Sequence, residues 1–240
     1  LRGLCVAVAM FFVAFGAQAQ RFETSLYFNG VLPVRQFNDQ VNLVDVFDNF
    51  TPINRTDIAK GASAGLGATG RFGMWFDVGY GQLLPYVEAS FLWNATKTKY
   101  RDIYDDNTKN DSLRATPVAP NYFNVPLLLG LKYRYEITPI IKPFLELSIG
   151  YDAMFVSSNG YRHNENTTNM WYSYKPTGAM AWSVGAGTYF GDNVSLGVYF
   201  VNFGSQRIEY TKRSDRPDAD NYTVEKRKLG ELGLRIGFHF

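Results

Sequence analysis

The sequence predicts an all-β chain: an eight-stranded, antiparallel, up-and-down transmembrane β-barrel whose apolar face turns outward to lipid. Three observations predict it. Segments in which apolar residues alternate with small or polar ones recur along the whole chain, and a period of two is that of a strand with one apolar face. Eight such segments can be drawn, each longer than the roughly 9–11 residues a tilted strand needs to cross a bilayer. The connections between them are alternately long and short, as in a barrel whose odd connections face outside and whose even ones are tight turns. A soluble sandwich supplies no reason for that alternation.

Ahead of the strands, "LRGLCVAVAMFFVAFGAQAQ" places basic Arg2 before an apolar run from Leu4 to Phe15 and the small residues Ala17 and Ala19. These are the three regions of a secretory signal, so residues 1–19 are expected to be removed and the barrel domain to span 20–240. The run is shorter than the about 20 residues of a membrane helix. The single cysteine, Cys5, falls in this segment, which leaves no mature thiol for a disulfide or a cysteine metal site. Charged residues make up only 19% and nearly cancel at +2, so no nucleic-acid partner is indicated.

The first predicted strand, 22–32, carries Glu23 inward. The second, 61–76, turns Leu66, Phe72, Met74 and Phe76 out, with Gly65, Gly67, Thr69 and Arg71 inside. After the turn "DVGYGQ", the third, 83–97, puts Glu88 inside. The fourth, 122–136, reads out as Phe123, Val125, Leu127, Leu129, Leu131, Tyr133 and Tyr135 and in as Asn124, Pro126, Leu128, Gly130, Lys132, Arg134 and Glu136. The fifth, 143–156, turns out Leu145, Leu147, Ile149, Tyr151 and Phe155 and encloses Glu146, Ser148, Gly150 and Asp152. The sixth, 176–190, turns out Met180, Trp182, Val184 and Phe190. The seventh, 194–211, changes phase near Tyr199 to Val201, the sign of a bulge. The eighth, 223–240, ends "GELGLRIGFHF", with Leu232, Leu234, Ile236, Phe238 and Phe240 on one face and Arg235 on the other. Aromatics gather near strand ends, where interfacial girdles require them.

An eight-stranded interior is just wide enough for side chains to fill. Its expected charges are Glu23, Arg71, Glu88, Lys132, Arg134, Glu146, Asp152 and Arg235, four of each sign, which predicts an ion-paired polar plug. A narrow conducting path is the alternative, since open channels belong to barrels of about 16 strands. Catalysis would need a histidine near a serine and a carboxylate. Of the two histidines, His163 lies in the third outer connection near Ser157, Ser158 and Glu165, where solvation explains it, and His239 points inward at the periplasmic end. No enzyme, metal or cofactor is expected.

In the outer connections, Val41, Val44 and Phe47 stand at helical spacing, equally consistent with an irregular polar loop. Lys212, Arg213 and Arg216 are expected to face Lys226, Arg227 and Lys228 across the last hairpin. That density suits the phosphates of lipopolysaccharide, and pairing with Asp215, Asp218, Asp220 and Glu225 is the rival explanation.

The end of the chain resembles the C-terminal assembly signal of bacterial outer-membrane proteins on Glu231, Gly233, Ile236, Phe238 and Phe240, which implies the barrel assembly machinery as a partner during biogenesis. "FNVPLLLGLKYRY" followed by "KPFLELSIGYDAMF" resembles the paired central strands of the Bacteroidetes outer-membrane β-barrel family, described as porin-like or PorT-like and of the OmpX/OmpA-barrel type. "DSL" at Asp111 to Leu113 resembles the O-glycosylation signal of exported proteins of that phylum. These resemblances imply an outer-membrane location and contact with its lipids. The expected role is structural or interactive; a narrow porin-like channel is one alternative, and an accessory component of the phylum's secretion system, with an extracellular or secretion-system protein partner, is another.

Overall fold

The computed structural model describes residues 21–39, 61–97, 115–118, 120–163, 170–214 and 221–240. The signal segment with Cys5, the spacing from Val41 to Phe47, the Asp111 to Leu113 triplet, Glu165 and Arg216 lie outside the described residues.

Among the described residues eleven strands form one sheet. They are β1 (Arg21–Arg35), β2 (Ala62–Val78), β3 (Gly81–Thr96), β4 (Ala115–Val118), β5 (Asn121–Tyr135), β6 (Ile141–Val156), β7 (Asn159–His163), β8 (Met170–Tyr174), β9 (Thr177–Phe190), β10 (Val194–Ser214) and β11 (Asn221–His239). Eight of them run in the order β11-β1-β2-β3-β5-β6-β9-β10, and the pairing of β10 with β11 closes the ring. The remaining three have no counterpart in the predicted strands. β8 pairs with the far end of β10, β7 with β8, and β4 with β7, so the second and third outer connections carry sheet as well as loop.

Closure is carried by the seam between β1 and β11. It runs from Ser25 opposite His239 to Arg35 opposite Leu229. One step further down, the Phe240 N–H donates to the Thr24 carbonyl at 2.9 Å and the Thr24 N–H donates to the Phe240 carbonyl at 3.1 Å. The apolar alternation reaches Phe240 unbroken because the ladder does. In hydrocarbon an unpaired backbone group has no water to bond, so only a sheet without edges is stable there.

Facing follows the strand period. Leu66, Leu129 and Leu145 on three separate strands are 65, 64 and 67% exposed, while Arg71, Leu128 and Glu146, of the opposite parity on the same strands, are buried. An apolar belt of this extent, running round the outside of a closed barrel, has hydrocarbon as its solvent and marks an outer-membrane barrel. Phe76 shares the outward parity of Phe72 but is covered, at 5% exposure.

The break in phase in β10 lies a few residues beyond the predicted place. Tyr199, Val201 and Phe203 all point inward, and the inward set then continues as Gln206, Ile208 and Tyr210. The shift in register falls between Asn202 and Ser205, around Gly204, whose φ of +73° a glycine adopts without strain. The Gly204 N–H donates to Asn202 Oδ1 at 3.0 Å and fixes the bulge.

Replacing Leu147, at the outward-facing centre of β6, with lysine is expected to destabilise the barrel by about 2–4 kcal/mol in vesicles, the typical penalty for a midplane charge on the lipid face. Urea unfolding followed by heat-modifiable gel migration checks it, and an unchanged midpoint would mean that this face does not meet hydrocarbon.

Candidate functional site

The interior is filled in layers. At its centre three cations, Arg71, Lys132 and Arg235, converge on two carboxylates, Glu88 and Glu146. Arg71 binds Glu88 through Nε and Nη2 and reaches Glu146 Oε2 through Nη1 at 2.8 Å. Arg235 Nη1 donates to Glu146 Oε1 at 3.0 Å, and Lys132 Nζ stands 3.5 Å from Glu146 Oε2. Rings complete the solvation. Arg71 lies 3.8 Å over Tyr86, Arg235 3.8 Å over Tyr199, and Lys132 4.3 Å over Phe144.

The rings are placed by glycine. Tyr27, Tyr86 and Tyr199 stand opposite Gly237, Gly130 and Gly233 on neighbouring strands, and each ring occupies the space a Cβ on that glycine would need. Gly233, expected only as part of an assembly signal, therefore also seats the tyrosine that stacks on Arg235.

Below this layer, toward the short turns, Glu23 accepts from Trp75 Nε1 at 2.8 Å, Ser25 Oγ at 2.8 Å and Tyr189 OH at 3.2 Å. Lys132 donates to the same Tyr189 hydroxyl at 2.9 Å and joins the two layers. Arg134 belongs to the mouth, bonded to Gln82 and 3.5 Å from Asp192 in the β9–β10 turn. The Lys142 hydrogen bond, with Arg134 and Arg21 further off, holds the Asp192 carboxyl below its ordinary range. A depressed carboxyl adds stability above its unfolded pKa and loses it as pH falls, and here the amount is small because the side chain is 38% exposed.

Above the centre, polar side chains bond along the wall, Asn29 to Thr69 at 2.9 Å and Thr69 to Ser90 at 2.7 Å. Beyond them sit two fully buried carboxylates. Asp152 accepts from Gln206 Nε2 at 3.0 Å. Glu231 lies beside Asn94 without hydrogen-bond geometry, and neither of its oxygens has a partner among the described residues. The outer end is then closed by apolar side chains, among them Val31, Phe37, Met154, Phe203, Ile208 and Leu229. Phe37 comes from the 3-10 turn Gln36–Asn38 that follows β1, and packs edge-on to Tyr122 with ring centroids 5.4 Å apart.

All eight charges expected inside the barrel are there, in separate groups: Arg71, Glu88, Lys132, Glu146 and Arg235 at the centre, Glu23 and Arg134 below, Asp152 above. His239 points inward as expected, whereas the sequence reading missed Glu231, Arg227 and Lys142 as buried interior groups, although Glu231 and Arg227 share the parity of Arg235 and were legible from it. Glu136 is exposed at the end of its strand instead of inside. It also missed the apolar cap.

The basic cluster of the last hairpin is arranged differently from the expectation. Lys226, Arg227 and Lys228 stand opposite Arg207, Gln206 and Ser205, because the register that runs up from Val194 opposite Phe238 holds to within one residue along β10. The Arg227 side chain is buried, while Lys212 and Arg213 pair with Tyr172 and Trp171 of β8. The histidine that meets serine and carboxylate is His239: Nε2 is 2.8 Å from Ser195 Oγ, and Nδ1 is 3.0 Å from Glu23 Oε1 and 2.9 Å from Ser25 Oγ.

No family model and no curated protein matches the chain, so the Bacteroidetes resemblance has no counterpart there. Among solved structures, the chain is similar to Neisserial surface protein A, with 10% identity over 93% of this chain and 100% of that one and a TM-score of 0.39. It is also similar to a major outer membrane protein from Thermus thermophilus, with 10% identity over 91% and 99% and a TM-score of 0.46. The attachment invasion locus protein Ail of Yersinia pestis, solved in complex with the heparin analogue sucrose octasulfate, gives 10% over 93% and 100% and a TM-score of 0.41. The barrel assignment stands on the strand pairing and the lipid-facing belt of this chain itself.

Two substitutions separate the interior groups. Arg71→Met leaves Glu88 and Glu146 short of a buried partner and is expected to cost about 3–5 kcal/mol. Glu231→Leu removes a buried carboxyl whose oxygens have no hydrogen-bond partner among the described residues and is expected to stabilise by about 1–3 kcal/mol. Urea titration of the refolded proteins reads both, and a loss of stability in Glu231→Leu would show that this carboxyl has a partner.

Proposed function

We propose that this protein is a non-conducting outer-membrane barrel that works through its outer surface, presenting an open sheet for contact with another protein. The observation that carries this reading is the contrast between the two ends of β10. In the membrane it is paired on both sides, with β9 and β11; beyond the bulge it continues upward with β11 on one side and the β8-β7-β4 extension on the other. Among the described residues that outer sheet ends in two strands with only one neighbour each, β4 and the first residues of β11. Strand edges of this kind accept an added strand through main-chain hydrogen bonds.

The interior supports the first half of the reading. A cavity between the ionic centre and the apolar cap measures about 10 Å³, room for one water at most. The cap closes the outer end, and the Arg71–Glu146–Arg235 layer crosses the middle. His239, Ser195 and Glu23 have the contacts of a Ser–His–acid relay, yet both serines bonded to the histidine are buried and the neighbouring cavity is about 30 Å³, too small for an acyl group. We read them as the hydrogen-bonded floor of the barrel. The secretion-accessory reading is supported by the PorT-like resemblance alone.

Planar-bilayer recording of the refolded protein is expected to give no discrete conductance steps; regular steps would favour the channel. Replacing residues 98–120 and 157–176 by short turns is expected to leave a heat-modifiable barrel and to reproduce the surface phenotype of the gene deletion. If the deletion strain instead fails to release secreted cargo, the accessory role replaces this one.

A further inference from the structure

We propose that the outer rim of the barrel binds an anionic lipid of the outer leaflet, one acyl chain lying between the splayed ends of β1 and β2 and the phosphate meeting Lys97. The groove starts from strand pairing. β1 and β2 are paired from Arg21 opposite Trp75 up to Val31 opposite Gly65. Above that point each keeps its other neighbour. β1 follows β11 as far as Arg35 opposite Leu229, and β2 returns to β3 at Ala62 opposite Thr96 after an irregularity between Ala62 and Gly65. The two come together again at the top, where the Gly61 N–H donates to the Asp39 carbonyl at 3.1 Å. The barrel wall has a window between these two points. Pro33 lies in it, and a residue without an N–H removes one backbone donor from a wall that faces lipid.

The window opens on a cavity of about 520 Å³, within the range of about 300–1,000 Å³ typical of small-molecule sites. Its floor is apolar, with Leu32, Val34, Ala64 and Leu232. Leu32 and Leu232 are cross-strand partners and half exposed on the lipid-facing belt, so the floor is continuous with hydrocarbon. Its upper edge is polar, because Lys97 and Asn38 flank the closing contact: the Lys97 N–H donates to the Gly61 carbonyl at 2.8 Å and Lys97 Nζ to the Asn38 carbonyl at 2.9 Å. An ammonium has three donors, and that bond uses one. No carboxylate lines the cavity among the described residues.

That combination selects the occupant. A soluble anion would leave the leucine floor unfilled, and an uncharged amphiphile would leave Lys97 without a counter-charge among the described residues. An acyl chain on an anionic head satisfies both, at the level where the belt gives way to water.

Native mass spectrometry of the detergent-extracted protein titrated with phosphatidylglycerol or phosphatidylcholine tests the assignment. The wild type is expected to retain one phosphatidylglycerol at least fivefold better than phosphatidylcholine. Lys97→Gln should abolish that preference, Lys97→Arg should keep it, and Ala64→Trp, which fills the floor, should release both lipids. Heat-modifiable migration shows that each variant is folded. Equal retention of the two lipids by the wild type, or a preference untouched by Lys97→Gln, would overturn the proposal, the former meaning that the groove is filled by protein or binds lipid without regard to charge.

Discussion

In hydrocarbon an unpaired amide has no water to turn to, and that constraint governs the rest of this molecule. It requires the sheet to close, and the β1–β11 ladder does so down to Phe240. Closure fixes the parity of every strand, because a side-chain period of two leaves only an inside and an outside. Once Leu234 and Ile236 must face lipid, Gly233 and Arg235 must face the interior. The ionic centre is therefore a consequence of the wall: a narrow barrel of eight strands has nowhere else to send its inward charges.

Burying those charges is unfavourable unless each is compensated, and the interior compensates them in two ways. Carboxylates are shared, with Glu146 serving Arg71, Lys132 and Arg235 at once. Aromatic faces supply the rest, and they are available only because glycines opposite Tyr27, Tyr86 and Tyr199 let the rings lie flat against the wall. Glycine is a poor strand residue in general. In this barrel it is the residue that brings a ring to an arginine.

What the sequence made legible was the part set by period alone. The eight membrane strands, the facing of β5 and β6, and the inward placement of Arg71, Glu146 and Arg235 all follow from alternation, which needs no knowledge of neighbours. The grouping of the charges was not legible, because stagger between strands decides which inward residues share a level. The same holds for the bulge. Phe200 and Val201 break the alternation in sequence, yet the chain bends at Gly204, where the backbone can enter the left-handed region, so Val201 and Phe203 join the apolar cap. That displacement carries Ile208 and Tyr210 inside, while the predicted juxtaposition of Lys212 with Lys226 fails because the register set in the membrane places Lys226 opposite Arg207. β4, β7 and β8 carried no detectable alternation and draw their pairing from the exposed continuation of β10.

The order of the layers along the axis bears on the proposed absence of conduction. At the centre three cations meet two carboxylates. Further out, Asp152 and Glu231 stand without a basic partner in hydrogen-bonding contact among the described residues, beneath a layer of apolar side chains. On that reading an ion of either sign moving inward would have to shed its water in the apolar cap, and a cation that passed it would then meet Arg71 and Arg235 below. The cap opposes both signs by desolvation, and the centre, with three cations on two carboxylates, adds repulsion for a cation. The proposed lack of conduction therefore rests on the packing of the cap for both signs and on the order of the layers for cations, so that widening the cap alone would leave the second barrier to a cation in place.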